Sequence, residues 1–242
     1  MPGSISEGST RYYLGEELAL FERAHNWKNY WAEMIRNYVT GDVLEVGAGT
    51  GGSIRYLYNG ACTRWLCLEP DGYLVRQLRR RIQQEGWHRC SARQAVIGSL
   101  EQHESFNAAL YIDVLEHIKD DAAEVANVIR HLRPSGYLIV LSPAYPWLFS
   151  PFDARIGHHR RYTKRSIQSL IPDSMVTVTL RYIDGCGTAA SLANKLLLRQ
   201  SLPTQKQLQL WDSVLVPLSR VCDQLAHYTV GKSVLGVWRK ES

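Results

Sequence analysis

Residues 43–52, VLEVGAGTGG, are the most informative part of this chain. The first four have the apolar character of a buried strand, and they run directly into a loop rich in glycine. Because glycine has no Cβ, such a loop can adopt positive φ and let a ligand approach the backbone closely. A strand, a glycine turn and a helix form a nucleotide-binding cradle at the carboxyl edge of a parallel sheet. The stretch therefore predicts an α/β fold that binds a nucleotide-like cofactor.

The glycines of this loop fit two cofactor patterns. Gly47, Gly49 and Gly52 form Gly-x-Gly-x-x-Gly. Glu69 lies twenty residues beyond Gly49, where a dinucleotide fingerprint has its acidic ribose anchor. Residues 45–51 also form Glu-x-Gly-x-Gly-x-Gly, which begins with a carboxylate. The loop alone therefore leaves the identity of the cofactor open.

Three further motifs follow the glycine loop in order. They are WLCLEP at 65–70, AALYIDVLEHI at 108–118 and LRPSGYLIVLSP at 132–143. The ordered set resembles the motifs of the class I S-adenosylmethionine (SAM)-dependent methyltransferases, over about residues 26–182 and again at the C-terminal strand. The resemblance implies SAM as the cofactor and S-adenosylhomocysteine (SAH) as its product.

The carboxylate of Glu45 favours SAM over NAD(P). We predict that it lies at the mouth of the site, two residues before the first glycine, where it would repel a pyrophosphate. SAM carries a sulfonium and an α-ammonium group, and a nearby anion attracts both. Glu69 ends the next predicted strand, where its carboxylate can accept charge-assisted hydrogen bonds from both ribose hydroxyls of adenosine.

The same motifs predict the remaining cofactor contacts. Asp113 ends a strand, and His117 follows it as a structural or cofactor-proximal residue. The turn at 98–100 resembles the adenine-side contact of the family, although this chain has Ser99 where an acid is more common. Aromatic candidates for capping the cofactor are Tyr12, Tyr13, Trp27 and Tyr30, and helix packing is the alternative role for the last two. The predicted cofactor-binding residues are Glu45, Gly47, Ala48, Gly49, Gly51, Glu69, Pro70, Ser99, Leu100, Asp113, Val114 and His117.

Alternating strand and helix signals predict a mostly parallel sheet with helices on both faces. The predicted strands are at about 43–46, 65–69, 91–97, 108–112, 136–141, 176–183 and 233–239. The predicted helices are at about 52–59, 71–86, 120–132 and 164–171, after two helices within Gly15–Tyr38. We expect a Rossmann-like three-layer α/β sandwich with seven strands. The resemblance implies that the last strand is antiparallel. A dinucleotide enzyme would instead continue into a second mononucleotide-binding half.

A chain of 242 residues most economically forms one domain. We predict a single methyltransferase domain over 1–242. Its parts are an N-terminal helical cap (1–40), a SAM-binding core (41–183), a helical substrate-side insert (184–231) and the last strand (232–240).

Composition limits the partners and the location. No apolar run reaches the roughly 18 residues of a membrane span, and the first ten residues do not have the pattern of a secretory signal. Five cysteines without CxxC spacing indicate reduced, buried thiols and a cytoplasmic location, and we expect no metal site. The net charge of +5 comes from short clusters rather than a long basic stripe, so we expect no nucleic-acid partner. Peripheral contact with a membrane surface is left open, and the sequence fixes no oligomeric state.

The acceptor side must come from segments added to the shared core, chiefly the 143–163 loop and the 185–230 helices. The loop begins at the carboxyl end of the fifth strand, where open α/β sheets bind ligands. Its stretch FDARIGHHRRY at 152–162 resembles a signature of a bacterial branch of these methyltransferases, many of which act on small or lipid-linked acceptors. The predicted substrate-binding residues are Tyr145, Trp147, Phe149, Arg160, Arg161 and Tyr162.

Methyl transfer from a sulfonium requires mainly placement, and proximity can supply about 7–11 kcal/mol. A hydroxyl or protonated amine acceptor also needs a base. His158 is the first candidate, His159 the second, and Asp153 the orienting carboxylate. Alternatively, His158 and Arg160 tie this loop to the sheet edge. Arg160 and Arg161 are candidates for binding a substrate carboxylate or phosphate.

The 185–230 segment carries an apolar stripe at helical spacing. Its members are Leu208, Trp211, Val214, Leu215, Leu218, Val221, Cys222 and Leu225, and Pro217 is predicted to kink the helix. We expect this stripe to pack on the core or to cover an apolar acceptor. A dimer surface and a membrane-facing patch are the alternatives.

The chain is therefore predicted to be a SAM-dependent methyltransferase that acts on an oxygen or nitrogen of a small molecule, for example a natural product. The alternatives are a methyltransferase for a lipid-linked or quinone-type acceptor, a non-catalytic SAM-binding protein, and an NAD(P) oxidoreductase.

Overall fold

The computed structural model describes residues 21–193 and 204–241. Its centre is a seven-stranded sheet with the strand order β3-β2-β1-β4-β5-β7-β6. The last strand, β7, is antiparallel to both of its neighbours, and the other strands are parallel. The predicted fold class, a Rossmann-like sandwich with an antiparallel last strand, is confirmed.

The strands are β1 (Gly41–Val46), β2 (Cys62–Glu69), β3 (Cys90–Gln94), β4 (Phe106–Ile112), β5 (Leu132–Pro143), β6 (Met175–Ile183) and β7 (Ser233–Lys240). All seven overlap the strands predicted from sequence. The third is shorter than predicted, because the chain leaves the sheet after Gln94 and forms a 3-10 turn at Ile97–Ser99.

The described α-helices are α1 (His25–Ile35), α2 (Ile54–Leu57), α3 (Gly72–Gln84), α4 (Asp121–Arg130), α5 (Pro151–Arg155), α6 (Lys164–Gln168), α7 (Gly185–Ala193), α8 (Gln205–Leu210) and α9 (Val216–Leu225). Of the two helices predicted within Gly15–Tyr38, α1 is the second, and residues 15–20 lie outside the described residues. The 143–163 segment was predicted to be a loop, but it contains α5, which begins with a capping box between Ser150 and Asp153.

Side chains of the central strands alternate between two apolar clusters, one on each face of the sheet. On β1, Val43 packs into the cluster that includes Trp31 of α1, and Leu44 packs into the opposite cluster with Phe106. Several helix N-termini are capped by side chains. The Asp71 carboxylate, for example, accepts hydrogen bonds from the backbone of α3 at Tyr73 (2.7 Å) and Leu74 (3.1 Å).

The helical insert packs against the N-terminal helix through buried carboxylates. Asp212 accepts hydrogen bonds from the backbone N–H groups of Asn26 (3.2 Å) and Trp27 (2.9 Å) in the first turn of α1. Asp223 accepts one from the Tyr30 hydroxyl at 2.7 Å. These contacts hold α1 and the insert together above the carboxyl edge of the sheet.

The predicted apolar stripe of the insert divides between two environments. Leu208 and Trp211 are buried, whereas Leu218, Val221 and Leu225 of α9 are exposed, the last by 77%. Residues 211–215 form a turn of π-helix, and Pro217, which has no backbone N–H, follows directly in the first turn of α9. No helix among residues 21–193 and 204–241 is long and apolar enough to cross a membrane.

Candidate active site

A cavity of about 1480 Å³ opens at the carboxyl edge of the sheet. The strand ends form its floor, and α1, the 143–163 segment and the insert form its walls. Pockets for a single small ligand have volumes of about 300–1,000 Å³. The cavity is therefore large enough for a nucleoside cofactor and a second small molecule.

The glycine loop forms one end of this cavity. Gly47 and Gly49 have φ of +66° and +54°, a region that side chains rarely adopt. A Cβ on Gly47 would lie 2.7 Å from a methyl carbon of Val114, so this position also lacks the space for a side chain. The loop thus exposes backbone to the cavity, as a bound nucleoside requires.

Glu69 joins the glycine loop to the end of β2. One carboxylate oxygen accepts the backbone N–H of Gly49 at 2.9 Å, and the other accepts that of Asp71 at 3.0 Å. Burial raises the pKa of this carboxyl, although both backbone hydrogen bonds oppose the shift. Since two carboxylate oxygens offer about four acceptor sites, Glu69 retains capacity for two hydroxyl donors from a ligand.

Glu45 is buried in the cavity wall, with 2% of its surface exposed, rather than at the mouth where it was predicted. The indole N–H of Trp65 donates to one carboxylate oxygen at 3.0 Å, and the Ser53 hydroxyl donates to the other. Burial raises the pKa of Glu45 to about 7, and these hydrogen bonds and the charge of Lys28 oppose the shift. Near neutral pH its carboxyl group therefore exchanges readily between charged and neutral forms.

Two lysines that the sequence analysis did not identify line the cavity. A Cβ on Gly52 would lie 2.9 Å from the Lys28 ammonium, which places this group beside the glycine loop. The Lys232 ammonium stands 4.2 Å from the ring centre of Trp211 in the insert. Burial lowers the pKa of both lysines. An anionic group of a ligand would compensate the desolvation of either cation.

Asp113 lies at the carboxyl end of β4 between the two ends of the cavity. Its φ of +54° is unusual for a residue other than glycine, and such strain is common at functional sites. Desolvation by the surrounding protein raises the pKa of its carboxyl to about 6, although the charges of His158, Lys232 and Lys28 oppose the shift. The charge of Asp113 therefore interacts with Lys28 at the glycine-loop end of the cavity and with His158 at the other end.

At the other end of the cavity, Asp153 holds His158 and Arg161. It accepts a hydrogen bond from Nδ1 of His158 at 2.9 Å and a bidentate pair from Arg161 at 2.8 and 3.0 Å. Burial would raise the pKa of Asp153, but these partners outweigh it and hold the pKa well below its usual range. The predicted pairing of Asp153 with His158 is thus present in the structure. The guanidinium of Arg161 is directed at Asp153 and donates to both of its carboxylate oxygens.

His117 lies next to His158 with its ring centre at 4.5 Å and its plane nearly perpendicular. Burial, followed by the charge of His158, lowers the pKa of His117 to about 4, so its imidazole is neutral at physiological pH. Glu116 is fully buried beside both histidines, and the Ser142 hydroxyl donates to its Oε2 at 3.0 Å. Glu116 is not among the site residues predicted from the sequence.

Most of the predicted cofactor-binding residues line the cavity. Those that do are Glu45, Gly47, Ala48, Gly49, Glu69, Pro70, Asp113, Val114 and His117. Among the described residues, the wall does not include Gly51, Ser99 or Leu100, and Ala95 and Val96 stand on that side instead. Trp27 lines the cavity, and Tyr30 contacts Asp223. Tyr12 and Tyr13 lie outside the described residues.

The predicted acceptor residues are divided between the cavity and the outer side of the segment. His158, Asp153, Phe149 and Arg161 line the cavity. The cavity wall, as far as the structure describes it, does not include His159, Tyr145, Trp147, Arg160 or Tyr162.

Two of these outer residues hold the segment against the start of α4. Arg160 pairs with Asp121 at 2.6 Å, and the Tyr162 hydroxyl donates to the same carboxylate at 2.7 Å. Tyr145 stacks on Trp147, with ring centres 5.4 Å apart. The alternative that His158 and Arg160 tie this loop down is met in part. Arg160 pairs with the Lys119 carbonyl and with Asp121 at the start of α4, and His158 pairs with Asp153 but also lines the cavity.

The residues missed from sequence carried weak local signals. Lys28 is the single lysine in the aromatic stretch WKNYW at 27–31, and Glu116 directly precedes His117 after a strand. Lys232 lies between the insert and β7, where nothing in the sequence distinguishes it from a surface lysine. Each is brought to the cavity by tertiary packing.

Comparison with known proteins agrees with this geometry. Residues 43–136 match the family described as a methyltransferase domain. The fold is similar to the N-methyltransferase NodS from Bradyrhizobium japonicum WM9 in complex with SAH, with a TM-score of 0.61, 15% identity and coverage of 97% of this chain and 100% of that one. No curated protein sequence matches the chain.

Two further solved structures share the fold. Coclaurine N-methyltransferase bound to N-methylheliamine and SAH has a TM-score of 0.61 and 12% identity, covering 90% of this chain and 72% of that one. The StiE O-MT has a TM-score of 0.52 and 18% identity, covering 83% and 68%. At these identities the solved structures show the fold alone.

Proposed function

Because the chain belongs to the class I SAM-dependent methyltransferases, we propose that it transfers the methyl group of SAM to an oxygen or nitrogen of a small-molecule acceptor, for example a natural product. One observation carries the proposal. A single cavity of about 1480 Å³ has the glycine loop at one end and the Asp153–His158 pair at the other. The cavity therefore has space for SAM and for a second small molecule, with the methyl group of SAM directed toward that molecule.

The cofactor would extend along the glycine loop. Glu69 would bind the ribose hydroxyls with its remaining acceptor sites, and Lys28 would bind the carboxylate of the methionine moiety. Glu45 and Asp113 supply negative charge for the ammonium and sulfonium groups. Binding of these cations would lower the raised pKa values of both carboxyls toward their usual range.

The reaction needs an acceptor lone pair in line with the S–CH₃ bond, at about 3–3.5 Å from the methyl carbon. The acceptor atom bonds to that carbon, the S–C bond breaks with its electrons remaining on sulfur, and SAH is released. We assign the role of base to Nε2 of His158, since Asp153 occupies Nδ1 and fixes the orientation of the ring. The structurally similar proteins include an N-methyltransferase and an O-methyltransferase, which supports nitrogen and oxygen as acceptor atoms.

A lipid-linked or quinone-type acceptor is the second candidate, and one observation favours it. Leu218, Val221 and Leu225 form an exposed apolar face on α9, the helix that comes directly after the part of the insert that lines the cavity. Such a face would let the insert rest on a membrane surface while an acceptor enters from the lipid.

We propose a cytoplasmic location for the reaction. All five cysteines are free, with Cys62 and Cys67 buried and Cys222 exposed. Free thiols persist where the surroundings are reducing.

Calorimetric titration with SAH tests the proposal, with NADH as the parallel control. We expect micromolar binding of SAH and no binding of NADH. Methyl transfer from labelled SAM to a panel of small hydroxyl and amine compounds, with and without vesicles containing a quinol, then identifies the acceptor class. Failure of SAH to bind would overturn the proposal, and transfer only in the presence of vesicles would favour the second candidate.

A further inference from the structure

Three potential metal ligands meet in the acceptor half of the cavity. Glu116, His117 and His158 each offer one donor atom, and these atoms all lie within 4.8 Å of one another. All three residues line the cavity. No metal site was expected from the cysteine spacing. These three residues come from two segments about forty residues apart and form no local sequence motif.

The surrounding hydrogen bonds orient each ligand as they do in metal sites. Asp153 occupies Nδ1 of His158, so that Nε2 is directed toward Glu116 Oε1 at 3.8 Å. Histidine ligands of metal ions usually donate their other ring N–H to a carboxylate, a backbone carbonyl or water, and Asp153 is such a partner. Ser142 fixes the other oxygen of Glu116.

The third ligand is held by the backbone of the same segment. Gly157 lies beside Nδ1 of His117 and hydrogen-bonds this ring through its backbone. The backbone N–H of His159 donates to the carbonyl of Glu116 at 2.8 Å and so joins the two ligand-bearing segments. Asp153, Ser142 and Gly157, which are not themselves proposed metal ligands, thus position the three donor residues.

We propose that Glu116, His117 and His158 bind a divalent first-row transition-metal ion, with Zn²⁺ as the reference case. Two imidazoles and one carboxylate are the ligand set of catalytic zinc sites and of facial-triad sites, both of which keep coordination positions open. Metal–ligand distances in such sites are about 2.0–2.2 Å, so two donors at the tetrahedral angle lie about 3.4 Å apart on one ion. The three donor atoms lie within 4.8 Å of one another, so side-chain movements of about 1 Å would close the cluster around an ion.

The inference rests on the proposed function and narrows it to acceptors that bear a hydroxyl group. A hydroxyl bound at an open coordination position becomes more acidic and loses its proton to water. The resulting oxygen attacks the methyl carbon of SAM, and the S–C bond electrons stay on sulfur to give SAH. With the ion bound, the Nε2 lone pair of His158 is used in coordination, so the ion takes over the task assigned above to the imidazole.

The test is titration of the chelator-treated full-length protein with Co²⁺, followed by visible absorption, and with Zn²⁺, followed by calorimetry. We expect one ion per chain and the absorption bands of Co²⁺ in a nitrogen- and oxygen-containing site. His117→Ala and His158→Ala should each weaken binding more than 100-fold. Ser142→Ala, which removes the hydroxyl on Glu116, should weaken binding roughly 10-fold.

The control is His103→Ala, because His103 is exposed and lies before β4, at the opposite edge of the sheet. It should bind both ions as the wild type does, and circular dichroism confirms that each variant is folded. Absence of the Co²⁺ bands, or equal affinity of wild type and His117→Ala, would overturn the inference. SAH titration of the metal-free wild type is run in parallel. SAH binding without metal binding would contradict the metal site alone, whereas loss of SAH binding would contradict the proposed function.

Discussion

The two ends of the cavity are built differently. The cofactor end consists of a short continuous loop, 47–52, whose backbone faces the cavity, and of carboxylates at the ends of adjacent strands. The acceptor end consists of side chains from the 3-10 turn at Leu115–His117, the helix α5 with the residues after it, and the insert. One end is therefore defined by backbone conformation, and the other by tertiary contacts between charged side chains.

This difference predicts where each end is vulnerable. Backbone conformation survives most substitutions outside the glycines, whereas a network of buried charges fails when one partner is removed. We therefore expect changes at the acceptor end to affect stability and turnover most strongly. Changes at the cofactor end should chiefly affect the affinity for SAM.

The largest effect is expected for Asp153→Asn, which leaves Arg161 without its bidentate partner in a buried position. Removing one member of a buried ion pair costs about 3–5 kcal/mol, so the free energy of unfolding should fall by this amount. Denaturant unfolding measures it, with the exposed Asp173→Asn as the matched control. Methyl transfer should be lost while the SAH affinity of the folded protein stays within threefold. A parallel loss of SAH affinity would contradict the separation of the two ends.

Glu69→Ala is the corresponding change at the cofactor end. It removes the proposed ribose contact and the acceptor of the Gly49 N–H. SAH binding should weaken by about 1.5–3 kcal/mol, the range for hydrogen bonds to charged groups. Calorimetry measures the change, and Glu69→Gln, which keeps one acceptor oxygen, should fall between the variant and the wild type. Unchanged affinity in Glu69→Ala would show that Glu69 does not bind the ribose.

A smaller effect on the same end is expected for Lys28→Met, which keeps the length of the side chain and removes its charge. Because Lys28 is half-buried, loss of its contact with the SAM carboxylate should cost about 1 kcal/mol, or roughly fivefold in Kd. The effect should diminish in high salt. Lys206→Met, at an exposed position of α8, is the control and should bind SAH as the wild type does. Equal affinities of the two variants would exclude Lys28 from the cofactor site.

A different kind of effect concerns the pH dependence of the SAM-free protein. Glu45 has its pKa raised from 4.5 to about 7 on folding, so the folded state binds the proton more tightly than the unfolded state. This group therefore makes the free energy of unfolding fall as the pH rises from about 4.5 to about 7. Unfolding of Glu45→Gln over this range should show a weaker decline than the wild type. Identical slopes would show that Glu45 keeps an ordinary pKa.

The same contrast explains how much the sequence could predict. The strand positions and the cofactor edge followed from local signals, because apolar periodicity, glycine spacing and strand-terminal acids are short-range patterns. Arg161 was predicted to bind substrate, yet it pairs with Asp153 eight residues away, because burial of either charge alone is unfavourable. Lys28 and Lys232 could not be predicted, since only the packing of α1 and the insert brings them to the cavity.

The hydrogen bonds between the Asp212 carboxylate and the first turn of α1 have a consequence for how SAM and the acceptor bind. Lys28, on α1, would contact the cofactor, and α1 is held in place by a carboxylate of the insert, which forms part of the acceptor wall. An acceptor that displaces the insert would therefore also displace the helix that carries Lys28. By thermodynamic reciprocity, whatever factor the acceptor adds to the affinity for SAM, SAM must add to the affinity for the acceptor. The two binding events would thus be coupled through a single helix cap.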